Sequence, residues 1–144
     1  MANVIPYAFR GELFSGNHNF ASGGNTFKLA LYTSATYDTA STVYVTTNEQ
    51  SSASSSNYSA GGNTLTGNAV VSTTAVASCD FADSTWTSAT ISVSHGAIYN
   101  SSTTPANKVC VVLDFDGTKS CTNGTFTVSF PSPATAADAI ISMA

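Results

Sequence analysis

The stretch of residues 81–115 constrains the fold of this chain more than any other part of the sequence. Over residues 90–99 polar and apolar positions alternate, and one parity carries Ile91, Val93, His95, Ala97 and Tyr99. A period of two is typical of a strand with one buried and one polar face. After a turn-rich segment, residues 108–115 are apolar on both parities, as in a strand covered on both sides. We therefore predict an antiparallel strand pair at the centre of the core, with Trp86 at its mouth.

The composition favours strands and turns over helices. Charged residues make up 8% of the 144 residues, where about 25% is typical, while serine and threonine together supply 43. Good helix formers are correspondingly scarce. Four basic residues and a net charge of −4 argue against electrostatic binding of nucleic acid. A surface with so few charges is expected to be buried in part against partner proteins.

Targeting and ligand-binding signals are sparse. The first ten residues lack the charged and apolar regions of a signal peptide, and no stretch approaches the roughly 18 apolar residues of a membrane span. The three cysteines match no zinc-binding spacing. Cys79 and Cys110 fit small core residues, with a bridge between them left open. We expect no cofactor, no bound metal, no nucleic acid and no membrane partner.

The N-terminus holds the one helix candidate of the sequence. Pro6 suits a first helical turn, Gly16 suits a C-terminal cap, and a broad apolar face can be formed by Tyr7, Phe9, Leu13 and Phe14. A helix this short is marginal alone. We therefore predict an N-terminal arm over residues 1–25 whose four apolar side chains bind a neighbouring protein subunit. Residues 26–144 are expected to fold as a single domain without it.

The rest of the chain reads as about eight short strands with turn signals between them. Residues 26–33 alternate with Phe27, Leu29 and Leu31 inward, whereas residues 34–63 are largely polar. Within them, the serine-rich run of residues 51–57 is expected to form an exposed, mobile loop. Residues 116–124 are predicted to form a hairpin loop. This pattern predicts an all-β fold, an antiparallel β-sandwich of jelly-roll or immunoglobulin-like type with one short N-terminal helix.

Two groups of residues resemble catalytic or metal sites. Asp114 and Asp116, in a strand followed by Asp-Gly-Thr, match the first motif of haloacid-dehalogenase-type phosphatases. Only 26 residues follow Thr118, however, with no helix pattern and with Asp138 as the sole later aspartate, and a calcium loop would need further acidic ligands. His95, beside Ser94, lies on the apolar parity of its strand and fits a core histidine. We therefore predict no enzymatic activity.

Three tyrosines lie in or near the polar loop segment. Tyr37, Tyr44 and Tyr58 are expected at the surface, where such rings stack on sugars or simply form strand edges.

A family resemblance is carried by short segments spread over nearly the whole chain: Phe14 with His18-Asn-Phe20, and residues 26–35, 47–49, 58–65, 83–90, 96–99, 113–115, 123–128 and 139–141. In this order and spacing they resemble a family of small virion proteins of tailed bacteriophages. The serine-rich residues 50–56 depart from it, because relatives tend to have a shorter link with valine and glycine there.

The resemblance implies a non-enzymatic structural protein of the virion, assembled in the bacterial cytoplasm. We expect a capsid decoration or cement protein that binds the major capsid protein from outside, as a trimer or dimer. The alternative is a tail, neck or fibre component, including a module that binds a carbohydrate receptor.

Overall fold

The computed structural model describes residues 3–73, 75–102, 106–131 and 139–143. Their elements are α1 (Tyr7–Phe14), β1 (Phe27–Tyr32), β2 (Asn63–Thr64), β3 (Ala69–Ser72), β4 (Ala77–Asp80), β5 (Ser84–Asn100), β6 (Lys108–Val128) and β7 (Ile141–Met143). One sheet has the strand order β2–β1–β5–β6 and the other β3–β4–β7, with all neighbours antiparallel. The predicted fold class, an all-β sandwich-like structure with one short N-terminal helix, is confirmed.

The central strand pair is present, but it is longer than predicted. β6 runs for 21 residues beside the 17 residues of β5, so the hairpin loop predicted at residues 116–124 is wrong. Asp116 and Gly117, with φ of 53° and 92°, instead form a bulge within the continuous strand. Residues that favour positive φ serve bulges as well as tight turns, and the local sequence does not distinguish the two.

The parity of β5 changes along the strand. Ile91 and Val93 belong to the main core between the sheets, whereas Ala97 and Tyr99 belong to a second apolar cluster on the other face. The pairing with β6 is irregular between Val93 and His95, which is where the two faces exchange. The prediction of one apolar face over residues 91–99 is therefore wrong, because a single irregularity moves every later side chain to the opposite face.

The long polar segment of residues 34–63 covers the sheet, with Tyr37 and Tyr44 in the second apolar cluster and Tyr58 in the main core. Tyr37 and Tyr58 are only 4% and 3% exposed, and Tyr44 is half-buried with its ring stacked 4.6 Å from that of Tyr99. The expectation of surface tyrosines is thus wrong for the first two. The loop residues 34–62 pack on the sheet through their aromatic side chains.

Helix α1 occupies the predicted residues and ends as predicted. The N–H of Gly16 donates to the carbonyl of Leu13 (3.1 Å) and the N–H of Asn17 to that of Glu12 (3.0 Å), with Gly16 at a φ of 70°. This pair of hydrogen bonds is the Schellman motif, which satisfies carbonyls that would otherwise lack donors.

The N-terminal segment is part of the core rather than a separate arm. Val4 exchanges backbone hydrogen bonds of 2.9 and 2.8 Å with Val112 of β6. Phe9 is fully buried, and the ring of Phe20 stacks on Phe27 of β1 with the centroids 4.3 Å apart. The expectation that residues 26–144 enclose their core without residues 1–25 is therefore corrected, because these aromatic rings fill the space beside the sheets.

Candidate interaction surface

The four predicted partner-binding side chains do not share one face of α1. Phe9 is fully buried and Leu13 packs against the main core, so both belong to the protein's own interior. Tyr7 and Phe14 point outward and are 62% and 95% exposed. The difference follows from helical spacing, because residues 9 and 13 lie one turn apart on one side and residues 7 and 14 two turns apart on the other.

Two residues that sequence reasoning missed complete the outward face. Arg10 and Gly11 are both exposed between the two aromatic rings. The resulting spacing of i, i+3, i+4 and i+7 places them on one line along the helix. We call this surface the α1 outer stripe, which consists of Tyr7, Arg10, Gly11 and Phe14. The same spacing is present in the sequence, but an apolar periodicity does not include Arg10 and Gly11, because neither is a large apolar residue.

The guanidinium of Arg10 is held against the helix, and no carboxylate of the described residues forms an ion pair with it. Its carbon lies 5.2 Å from the centroid of the Tyr7 ring, and Nη2 donates to the carbonyl of Ile5 (3.3 Å). The ion pairs among the described residues join other side chains. A cation over an aromatic face is favourable but leaves most guanidinium donors available.

The opposite side of α1 is fixed to the sheet by charged groups. Glu12 pairs through Oε1 with Nζ of Lys108 on β6 (2.9 Å) and through Oε2 with Nε2 of His18 (3.0 Å). Burial raises the pKa of the Glu12 carboxyl, but hydrogen bonds from His18 and Lys108 outweigh it, so that its pKa is lowered. The ionised carboxylate of Glu12, which accepts from two donors, therefore anchors the helix.

The buried side chain of His18 has one defined tautomer. Asn100 accepts from the Ser102 N–H through Oδ1 (2.9 Å), so its amide nitrogen donates to Asn25 Oδ1 (3.1 Å) and to His18 Nδ1 (3.0 Å). Because Nδ1 accepts, the ring carries its hydrogen on Nε2 and donates to Glu12. His18 therefore joins α1, β5 and the intervening loop.

Cys110 completes an arrangement that resembles a thiol nucleophile with its base. Its Sγ lies 3.8 Å from His18 Nδ1. The thiol is fully buried, however, and burial raises its pKa well above the ordinary value. A nucleophile needs an accessible thiolate, so Cys110 acts as a core residue. Burial likewise raises the pKa of Cys79 to about 12, and all three cysteines are free thiols.

Ser94, His95 and Asp114 also come together, although without the geometry of a catalytic triad. The Ser94 hydroxyl donates to the carbonyl of Thr33 (3.1 Å) and lies 2.8 Å from His95 Nδ1. Because its single hydrogen points to Thr33, this hydroxyl accepts from the ring instead of passing a proton to it. His95 Nε2 is 3.8 Å from Asp114 Oδ1, beyond hydrogen-bond length.

The two aspartates of the phosphatase-like motif support the bulge in β6. The N–H of Asp116 donates to Asp114 Oδ1 (3.0 Å), the local contact expected of an aspartate in a turn or bulge. Within the ranges that the structure describes, no cluster of three or more histidine, cysteine or acidic side chains is arranged to hold a metal ion. The aspartates therefore have a structural explanation in the fold.

A tyrosine cluster around Glu49 is a polar feature that the sequence did not reveal. The carboxylate accepts hydrogen bonds from the hydroxyls of Tyr44 (2.6 Å) and Tyr58 (2.7 Å) and from the N–H of Gly61 (2.7 Å). Tyr99 in turn donates to the carbonyl of Gly61 (2.8 Å). The three hydrogen bonds that Glu49 accepts join parts of the loop to one another, and the hydrogen bond from Tyr99 ties the loop to β5.

An apolar groove lies between α1 and the sheet β3–β4–β7. Its volume is about 110 Å³, and its lining includes Leu13, Val70 and Met143. Val70 and Met143 remain 52% and 60% exposed. Large exposed apolar side chains therefore occur on both sides of Leu13, in the groove and on the α1 outer stripe.

Comparisons with protein families, with curated proteins and with solved structures find no match to this chain. No helix in the described parts of the chain is long and apolar enough to cross a membrane.

Proposed function

We propose that this chain is a non-enzymatic structural protein of a tailed-phage virion, and specifically a capsid decoration or cement protein on the outside of the shell. The observation that carries the proposal is the α1 outer stripe, in which Phe14 is 95% exposed on a helix that is otherwise anchored in the core. An exposed aromatic ring on a rigid element is typical of a protein-binding surface, where aromatic and arginine side chains supply most of the binding energy.

The charge pattern supports an assembly role. Charged residues make up 8% of the chain, and four of them are engaged in the internal contacts described above: Glu12, Lys108, Glu49 and Asp114. Few charged side chains remain on the surface to oppose association with other proteins. Such a surface is suited to burial against the major capsid protein and against further copies of the chain, as a trimer or dimer.

The chemistry of the interior supports a role without catalysis. Each candidate nucleophile or acid–base group has a structural role. Cys110 is buried in the core, the Ser94 hydroxyl donates to the carbonyl of Thr33, and the Asp114 carboxylate accepts from the backbone at the bulge. A purified sample is expected to hydrolyse no phosphate ester with or without Mg²⁺. Magnesium-dependent activity abolished by Asp114→Asn would overturn this part of the proposal.

The proposal is tested by binding to particles that lack the protein. Purified chain is mixed separately with undecorated capsids and with isolated tails, and each mixture is sedimented through a density gradient. Saturable co-sedimentation with capsids is expected. Binding to tails alone would assign the chain to a tail, neck or fibre component, and binding to neither would contradict the virion assignment.

A further inference from the structure

We propose that the α1 outer stripe is the docking surface itself, and that its partner is a site on the shell protein combining an apolar side chain with a carboxylate. The apolar side chain sits over Gly11 between Tyr7 and Phe14, and the carboxylate pairs with Arg10. The identity of the partner as a shell protein rests on the proposed function, whereas its chemistry follows from the stripe.

The stripe has the shape of a shallow receptacle. Tyr7 and Phe14 are separated by about 10 Å along the helix axis, at roughly 1.5 Å per residue. Between them, a Cβ placed on Gly11 would meet no atom within 4 Å. The missing side chain therefore leaves an open space flanked by two exposed rings. A leucine, isoleucine or methionine from a partner can enter this space and contact both rings and the helix backbone.

The charge of Arg10 specifies the second part of the partner site. Its guanidinium has no carboxylate among the described residues, although the chain carries a net charge of −4. The Tyr7 ring beneath it, 5.2 Å away, holds it in the stripe. An arginine held in this way offers a bidentate donor pair to a carboxylate. The complementary surface is therefore acidic as well as apolar.

The same argument disfavours a symmetric contact between two copies. In an isologous dimer through this surface, each stripe would face the other stripe. Tyr7, Arg10, Gly11 and Phe14 include no acidic side chain, so two Arg10 guanidinium groups would approach without a counter-charge. A different protein that supplies the carboxylate is the better match.

The stripe is also preorganised. Phe9 is fully buried beneath it, and Glu12 holds the helix to Lys108 and His18 at 2.9 and 3.0 Å. Docking therefore orders few additional groups, and the contacts are not offset by a large loss of conformational entropy.

Three variants of the full chain test the proposal against undecorated capsids. Phe14→Ala removes a ring, Arg10→Glu reverses the charge, and Gly11→Gln fills the receptacle. Each is expected to weaken capsid binding at least about tenfold. Gly11→Gln is the sharpest of the three, because glutamine favours helix over glycine and meets open space in the folded chain. It should raise the urea midpoint while lowering the affinity, a combination that misfolding cannot produce.

Lys119→Glu is the matched control. Lys119 is exposed on β6, outside the stripe, and its reversal changes the net charge by the same amount as Arg10→Glu. It should bind like the wild type, and Arg10→Glu alone should reduce the salt dependence of binding.

Two results would overturn the inference while leaving the proposed function intact. One is wild-type affinity in Gly11→Gln and Phe14→Ala; the other is self-association of the purified wild type that these variants abolish, which would make a second copy the occupant. If the wild type itself fails to bind capsids, the proposed function fails first.

Discussion

The hydroxyl of Tyr58 donates to Oε1 of Glu49 at 2.7 Å and accepts from the N–H of Leu31 at 3.0 Å. This single side chain therefore links the loop to strand β1. Because Glu49 also accepts from Tyr44 and Gly61, the loop is held at three points by one carboxylate. A segment with the composition of an exposed loop is in this way made part of the folded domain.

Glu49→Ala should destabilise the protein by about 3 kcal/mol. Hydrogen bonds to a charged group contribute roughly 1.5–3 kcal/mol, and the substitution leaves partly buried donors without an acceptor. Urea unfolding monitored by fluorescence measures the change. Asp116→Asn, which removes a negative charge at an exposed position of the bulge, serves as the control and should change the stability by less than about 0.5 kcal/mol. Equal effects of the two changes would mean that net charge, and not the tyrosine cluster, is responsible.

Trp86→Ala should cost roughly 3–5 kcal/mol, as truncation of a core aromatic residue does. Trp86 is 4% exposed and lies between Tyr58 and Phe126, with ring centroids at 6.1 and 6.2 Å. Denaturant unfolding of the variant, followed by circular dichroism because the fluorophore is lost, provides the measurement. A cost below about 1 kcal/mol would show that the ring does not pack tightly in solution.

Stability should fall as the pH rises above about 10. Burial, with Glu49 and Tyr37 nearby, raises the pKa of Tyr99 to about 12, and burial likewise raises the pKa of Tyr44 and of Tyr58. Tyrosines in an unfolded chain titrate near pH 10. The unfolded state therefore releases protons before the native state does, and the stabilisation is progressively lost between about pH 10 and 12.

Absorbance of tyrosinate near 295 nm, recorded beside circular dichroism in a Tyr7→Phe background, follows this titration. The two signals should change together, because the buried hydroxyls ionise when the chain unfolds. Ionisation of the remaining tyrosines near pH 10 with unchanged circular dichroism would contradict the burial of the cluster.

Deletion of residues 1–20 should prevent cooperative folding, because it removes Phe9 and Phe20 from the core and Glu12 from Lys108. Thermal unfolding of the truncated chain checks this. The deletion of residues 1–3 is the control and should leave a sharp transition, since Val4 and its hydrogen bonds to Val112 are kept. A cooperative transition of the larger truncation would restore the separable arm expected from the sequence.

The features predicted correctly from the sequence rest on local patterns. The helix over residues 7–14 follows from Pro6, the apolar positions and Gly16, and the inward parity of β1 follows from Phe27, Leu29 and Leu31. Such signals depend on neighbouring residues alone, so no tertiary contact was needed to read them.

The features that escaped prediction depend on tertiary context. Asp116–Gly117 is compatible with a turn and with a bulge, and only pairing with β5 decides between them. The role of Glu49 depends on Tyr58 and Gly61, which come within reach only after the loop folds back. The outward position of Arg10 and Gly11 depends on which side of the helix is buried, and the burial of Phe9 in the folded chain determines that side.

The abundance and position of the chain in purified virions test the central claim most directly. Quantitative mass spectrometry against the major capsid protein gives its copy number, and electron cryo-microscopy of the same particles gives its place. A capsid decoration protein should be present in hundreds of copies, with density on the outer face of the shell that contacts helix α1. A handful to some tens of copies at the tail, or absence from the particle, would contradict the account.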